Sequence, residues 1–354
     1  MRKLFLFLVA LLLTFGLFAC GSSGDIDFPK FKESDAVELS ATEMMALFEE
    51  IDMTTMYSES IEIITKGYIK VLEGSNDSGG SYSSSNEVNI TVDAKVYTLM
   101  SEVVADARLH VEGNIDFYQS NQEKSGTYEY EYTNALKGNI GVYFYNNFLY
   151  MNADGQYSED GTTFKDAKFK QKLNQQLTQE MWDEALSNVD PSVFLGSVPT
   201  EFLNMLENDD FEAIMDAIPN LKVYQDGTTY SIVFSVTKQL IIDSISSVLT
   251  AYAQALDQGI TAEQIQSTVD EAIAQINEVV SKLEFTYVIS IKGNKIVQMA
   301  EMLVFKSVDG KIDINMTTVM KTGVSLPKFP TDLSSYTAVD YPGQGVIDQT
   351  EAKR

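Results

Sequence analysis

The chain has 354 residues, 44% of them hydrophobic, and a formal charge of −26 from 51 acidic and 25 basic side chains. A surface this acidic repels phosphate backbones, which argues against nucleic acid as a partner, and it repels anionic headgroups within about a Debye length, ~8 Å at physiological salt. With a single cysteine no internal disulfide can form, so the fold must rest on a packed core.

Arg2 and Lys3 precede an almost unbroken apolar run from Leu4 to Phe18, followed by Ala19 and the sole cysteine, Cys20. This is the layout of an export signal, and Leu17-Phe18-Ala19-Cys20 resembles the lipobox of bacterial lipoproteins. The resemblance implies a signal peptide over 1–19, lipidation of Cys20, and an extracytoplasmic chain anchored to the cell membrane by its N-terminal lipid. Cleavage before Cys20 removes two basic residues and no acid, moving the formal charge from −26 to −28.

Residues 20–39 hold Gly, Ser, Asp, Lys and Glu with scattered apolar positions and read as a flexible tether. Ser40 and Glu43 have capping-box spacing, and Met44, Leu47, Phe48 and Ile51 then share a helical face. From Ser60 to Asn152 the pattern is that of strands, with Ile61, Ile63, Val88, Ile90, Val92, Val96, Leu109, Val111, Ile115 and Phe117 in short or alternating apolar runs. The polar stretch 74–81 reads as a loop. Tyr128, Tyr130 and Tyr132 alternate with Glu129 and Glu131, as in an antiparallel sheet with one wet face.

Asn146-Asn147 suits a two-residue turn, because Asn tolerates positive φ. That turn aligns Tyr145 with Phe148 and Tyr143 with Tyr150 on one face, and leaves Val142, Phe144, Leu149 and Met151 on the other. Lys165 to Asn188 reads as loosely helical around Trp182, the only tryptophan. Apolar clusters between Pro199 and Pro219 follow, then an alternating strand carrying Tyr230, Ile232, Phe234 and Val236. Lys238 to Leu283 predicts an antiparallel helical hairpin broken at Gly259, its second arm opened by a Thr261–Gln264 capping box. Turns at Gly293-Asn294 and Asp309-Gly310 make a closing meander with Leu303, Phe305, Ile312, Ile314 and Met316 inward, and a bulge or register shift near the first turn. Beyond Leu326-Pro327 the chain is expected to fray, with 337–354 a polar tail.

This order of elements predicts an α+β domain over 40–336, a curved antiparallel sheet (half-barrel) covered on its concave side by helices, the inserted hairpin among them. Together with the lipobox, and with the run Tyr143-Phe144-Tyr145-Asn146-Asn147-Phe148-Leu149-Tyr150-Met151, it resembles the superfamily that includes outer-membrane lipoprotein carriers and mycobacterial glycolipid-binding lipoproteins. What the resemblance implies is a space between sheet and helices that takes acyl chains.

Catalytic chemistry finds little to work with. One histidine, His110, excludes a three-histidine metal centre and reads as a rim residue of a strand. A committed Cys20 leaves no thiol nucleophile, and no nucleophile elbow, phosphate loop or dinucleotide fingerprint is present. Asn152, Asp154, Glu159 and Asp160 can offer oxygen ligands to Ca²⁺, but their spacing is not that of an EF-hand. The expectation is therefore a non-catalytic lipoprotein without metal or cofactor, its partners the membrane and a lipid or other hydrophobic ligand. Val142, Phe144, Leu149, Met151, Ile232, Phe234, Phe305 and Ile314 are the candidate lining. The alternative is a surface interaction or scaffold lipoprotein whose core is filled.

Overall fold

The computed structural model describes residues 28–37, 59–76, 82–99, 101–174, 176–187, 221–245 and 261–339, with single positions at 26, 39, 43, 46 and 47. The export signal with Cys20, the helix expected after Ser40, the clusters between Pro199 and Pro219, and the connection around Gly259 lie outside the described residues or almost wholly so.

The strands, in chain order, are β1 (Ala36–Val37), β2 (Ser60–Asn76), β3 (Tyr82–Leu99), β4 (Arg108–Ser125), β5 (Tyr128–Tyr145), β6 (Phe148–Ser158), β7 (Lys165–Leu173), β8 (Leu221–Asp226), β9 (Thr229–Thr237), β10 (Val280–Lys292), β11 (Lys295–Ser307), β12 (Ile312–Thr322) and β13 (Thr337–Val339). All belong to one 13-stranded sheet in the order β1-β8-β9-β10-β11-β12-β2-β3-β4-β5-β6-β7-β13. Two meanders, β2 to β7 and β8 to β12, are thus sewn together by the β12–β2 pairing between distant parts of the chain. Every pairing is antiparallel except β7 with β13. Helices α1 (Gln179–Ser187) and α2 (Ala262–Val279), a helical stretch at 238–245 and single 3₁₀ turns at Glu33–Asp35 and Leu333–Ser335 accompany the sheet.

The expected α+β class is therefore corrected: the chain is mostly β, one long sheet with short helices, rather than a helix-covered half-barrel. Three local readings explain the difference. Lys165–Leu173 is strand β7, because Ala167, Phe169 and Gln171 alternate with lysines and pair in register with β6. The predicted second helical arm stops at Val279; from Val280 the run through Phe285-Thr286-Tyr287-Val288-Ile289 is β-branched and aromatic, and becomes β10. The Ser-, Asn- and Gly-rich ends of β2, β3 and β4 stay paired as far as Asn76–Ser83 and Ser125–Tyr128. Backbone ladders carry these ends where side-chain burial does not.

Other local expectations agree with what forms. Asn146 and Asn147 have φ of 50° and 65°, the left-handed pair that a tight hairpin turn requires. The flanking register is Tyr145–Phe148, Phe144–Leu149, Tyr143–Tyr150 and Val142–Met151. The Thr261–Gln264 capping box opens α2 with both reciprocal bonds made. A register shift falls between Ser290 and Ile291. The extra residue is Val297 of β11, while β10 pairs with β9 without a break, so Ile289, rather than Val288, stands opposite Met299 on the inward face traced from Leu303 and Phe305.

Both ends of the described body dock onto the sheet. Within the stretch read as a tether, Ile26, Phe28 and Phe31 pack on Val288, Ala300 and Val319, Phe31 stacks on Tyr224 at 4.7 Å, and β1 adds an edge strand to β8. Beyond Leu326, where fraying was expected, Phe329, Leu333 and Tyr336 pack against Tyr143, Tyr145, Phe148 and Tyr150, and β13 joins β7. Apolar side chains in otherwise polar segments supply the reason: burying an aromatic ring recovers a few kcal/mol, enough to order a short stretch of chain.

Candidate functional site

The register assigns each strand residue to one of two faces, since side chains alternate and paired residues share a face. Reading across the pairings, Val223, Ile232, Ile289, Met299, Met320, Ile63, Val96, Val111, Val142 and Met151 form one continuous row over ten strands. A second row runs Leu283, Phe305, Ile314, Ile69, Ile90, Phe117, Leu136 and Tyr157. Phe144, Leu149 and Phe234 lie on the same side. All eight candidate residues named from the sequence, Val142, Phe144, Leu149, Met151, Ile232, Phe234, Phe305 and Ile314, thus share one apolar face.

The face is packed unevenly. Over β8 to β11, Ile232 belongs to a buried cluster with Val223, Tyr287, Ile289, Ile291, Ile296, Met299, Met320 and Ile61, with Phe234 against it. Phe305 is buried with Leu283 and Leu303, under Ile241 of the 238–245 helix, and Ile314 joins this group. At the other end Trp182 of α1 lies on Phe144, beside Leu109 and Leu149. Its indole N–H donates to the Ser101 carbonyl at 2.8 Å. Between these plugs Ile63, Val96, Val111, Ile115, Ile140, Val142 and Met151 are half-buried, and no buried cluster among the described residues is centred on them. The face then runs outward along β5 to Leu136, Tyr132, Tyr130 and Tyr128, all exposed. These tyrosines were expected to meet a core, but the β4–β5 hairpin tip is exposed on both faces.

Two concavities, of ≈ 260 and ≈ 420 Å³, lie near the far ends of β2 to β5. Ser, Gln, Glu and Lys dominate their lining, and neither includes any of the eight candidates. An enclosed apolar chamber lined by the eight is not among them; what the described residues present is a broad greasy surface.

One residue on that face was missed in the sequence. Between the two apolar rows runs a third: Phe234, Tyr287, Glu301, Thr318, Thr65, Ala94 and Gly113. Thr65 and Thr318 share a hydrogen bond of 3.0 Å. Glu301 is half-buried, has no hydrogen-bond or ion-pair partner among the described residues, and burial alone pushes its carboxyl up to about 7. The signal was available: Glu301 has the parity of Leu303 and Phe305, so an inward reading of those two places a carboxylate on the same side.

Several charges on the opposite face are partnered. Lys66 meets Asp93 at 3.2 Å, Lys95 meets Glu62 at 2.8 Å, and Lys306 meets Asp313 at 3.0 Å, each across a strand boundary. There too His110 is buried, contrary to its reading as a rim residue, with Tyr143 edge-on at 4.8 Å and Phe329 at 5.9 Å. Its Nε2 contacts Glu112 at 2.8 Å and its Nδ1 is buried without a partner among the described residues. Burial, then the Glu112 charge, push the Tyr143 phenol well above its ordinary value.

Three of the four oxygen residues considered for Ca²⁺ are otherwise engaged. Asp154 pairs with Lys168 and Glu159 with Lys165. The amides of Thr163 and Thr162 hold the Asp160 carboxyl well below the usual range. No group of three or more metal-ligating side chains occurs among the described residues. No helix among them is long and apolar enough to cross a membrane.

No family model matches the chain, and no curated protein matches it in sequence.

Proposed function

We propose that the protein is a bacterial lipoprotein, anchored outside the cytoplasm through lipidated Cys20, that holds a lipid or another apolar molecule against the apolar face of its sheet without catalysing a reaction. The anchor rests on the Leu17-Phe18-Ala19-Cys20 sequence, and the carrier role on the likeness of the β5–β6 hairpin to that of lipoprotein carriers. The observation that carries the reading is the half-buried aliphatic span from Ile63 to Met151, bounded by buried clusters at both ends. Apolar surface left against water costs roughly 25 cal/mol per Å², and an acyl chain laid on the exposed part of this span lowers that cost for both partners.

The test is direct. Full-length chain extracted in mild detergent and exchanged into a detergent-free amphipathic polymer should release bound lipid on solvent extraction, read by mass spectrometry, and should take up a neutral fluorescent fatty alcohol. Ile140→Asp and Val142→Thr substitutions should reduce that uptake at least fivefold. Neither co-purifying lipid nor uptake would overturn the reading. It would leave the second one, a surface interaction protein, which the exposed Tyr128, Tyr130 and Tyr132 favour.

A further inference from the structure

Polar groups on the apolar face are few, and they are aligned. Of the side chains that β9 to β12, and β2 from Ile61 to Val71, present there, Glu301 alone carries a charge. Tyr287 faces it from β10 and Thr318 from β12, while Met299 and Leu303 flank it on its own strand. Tyr287 is thus the only other titratable group in its immediate register; its hydroxyl donates to the Met299 sulfur at 3.4 Å. The Thr318 hydroxyl is engaged with Thr65. Glu301 is accordingly a half-buried carboxylate without a counter-charge among the described residues, in a protein that pairs several lysines and acids of its opposite face.

An ionised carboxylate in such surroundings is unfavourable unless a cation meets it. The position is suited to a ligand that brings its own. Glu301 lies between two apolar rows, so a molecule with its head at this row can lay hydrocarbon along either one. Resting on the lipid-binding reading above, we propose that Glu301 is the headgroup anchor of this face, and that the ligand it selects is an amphiphile whose polar head is a protonated amine. The amine supplies the missing positive charge and donates hydrogen bonds to the carboxylate, while its chain covers the aliphatic span toward β3 to β5. A fatty-acid carboxylate at the same place meets like charge and is disfavoured.

Displacement of the neutral apolar dye N-phenyl-1-naphthylamine from the full-length chain at pH 8 tests this, with dodecylamine, dodecanol and dodecanoate as competitors of equal chain length. Dodecylamine should compete at least tenfold better than dodecanol, and dodecanoate worse than both. Glu301→Gln should abolish the advantage of the amine over the alcohol, each competitor being compared within the same variant at that variant's own dye affinity, and Glu301→Asp, which keeps the charge, should retain part of it. Asp154→Asn makes the same change in net charge at an exposed site and should change nothing, which separates local pairing from attraction to an acidic protein. An amine advantage that survives Glu301→Gln overturns the proposal while leaving the apolar face intact as a binding surface. Failure of the dye to bind at all overturns both.

Discussion

Trp182 lies flat against Phe144, with ring centroids 5.8 Å apart and planes within 5° of parallel. This contact ties α1 to the sheet and plugs one end of the apolar face, since Leu109, Leu149, Val104 and Ala107 pack around it. Truncation to alanine removes the ring and its hydrogen bond to Ser101, and a cavity remains. Trp182→Ala should cost about 3 kcal/mol, read as a lowered urea midpoint with unchanged slope. A loss below about 1 kcal/mol would show that α1 is not part of the cooperative fold. Because this is the only tryptophan, its emission in the unsubstituted protein should also shift when an apolar ligand enters beside Phe144 and Leu149.

The interior glycines of two long strands mark positions where backbones approach too closely for any side chain. A Cβ on Gly138, at φ 150°, would lie 2.3 Å from the Gly155 Cα, and one on Gly67, at φ 157°, 2.0 Å from the Asn315 carbonyl oxygen. Gly227 has φ of 60° with open space around it. Gly138→Ala and Gly67→Ala should each cost more than about 2 kcal/mol, and Gly227→Ala only the ~1 kcal/mol of a left-handed alanine. Equal losses at all three, measured by chemical denaturation, would contradict the close approach.

Glu301 gives the stability curve a specific slope. Its folded-state pKa is raised by burial from 4.5 to about 7, so between those values the native state binds its proton more tightly than the unfolded chain does. The contribution is fully present below about pH 4.5 and is lost as pH rises through about 7, by up to about 3 kcal/mol. Glu301→Gln should remove this component, leaving a mutant relatively more stable at pH 8 than at pH 4.5. Acids held below their ordinary values, Glu62, Asp309 and Asp332 among them, act in the opposite sense at lower pH and cancel in the difference between the two proteins. A pH-independent difference would show that Glu301 is hydrated like a surface residue.

The C-terminal segment covers the tyrosine side of the β5–β6 hairpin. Tyr336 packs edge-on against Tyr150 at 5.5 Å and Phe329 stacks on Tyr145 at 4.7 Å. Tyr336→Ala should therefore cost about 3 kcal/mol, whereas a substituent on a free tail changes stability by less than about 0.5 kcal/mol. Urea denaturation distinguishes the two.

Strand content, the tight Asn146-Asn147 turn and the common face of all eight candidate residues were legible because each is set by local alternation and turn chemistry. Fold class was not. Lys165–Leu173 carries lysine and glutamine at spacings that suit a helix as well as a strand, and only pairing with β6 decides between them. Sewing β12 to β2 is a contact between residues some 250 positions apart, which no window of sequence contains. His110 reads as a rim residue from its strand alone, because Phe329, one of the rings packed on it, comes from a segment whose docking is tertiary. The parity of Glu301 is readable in the sequence, but with 51 acidic residues in the chain a carboxylate on the apolar side does not stand out.

The central claim is that the apolar face of the sheet, rather than the opposite one, is where a lipid lies. A neutral long-chain alcohol carrying a photoactivatable diazirine in its chain, incubated with the full-length protein, irradiated and mapped by peptide mass spectrometry, tests this most directly. The account predicts adducts on Ile63, Val92, Ile115, Ile140, Val142 and Met151, competed away by unlabelled lipid. Adducts confined to the opposite face around Tyr68 and Lys95, or none that unlabelled lipid competes, would contradict it.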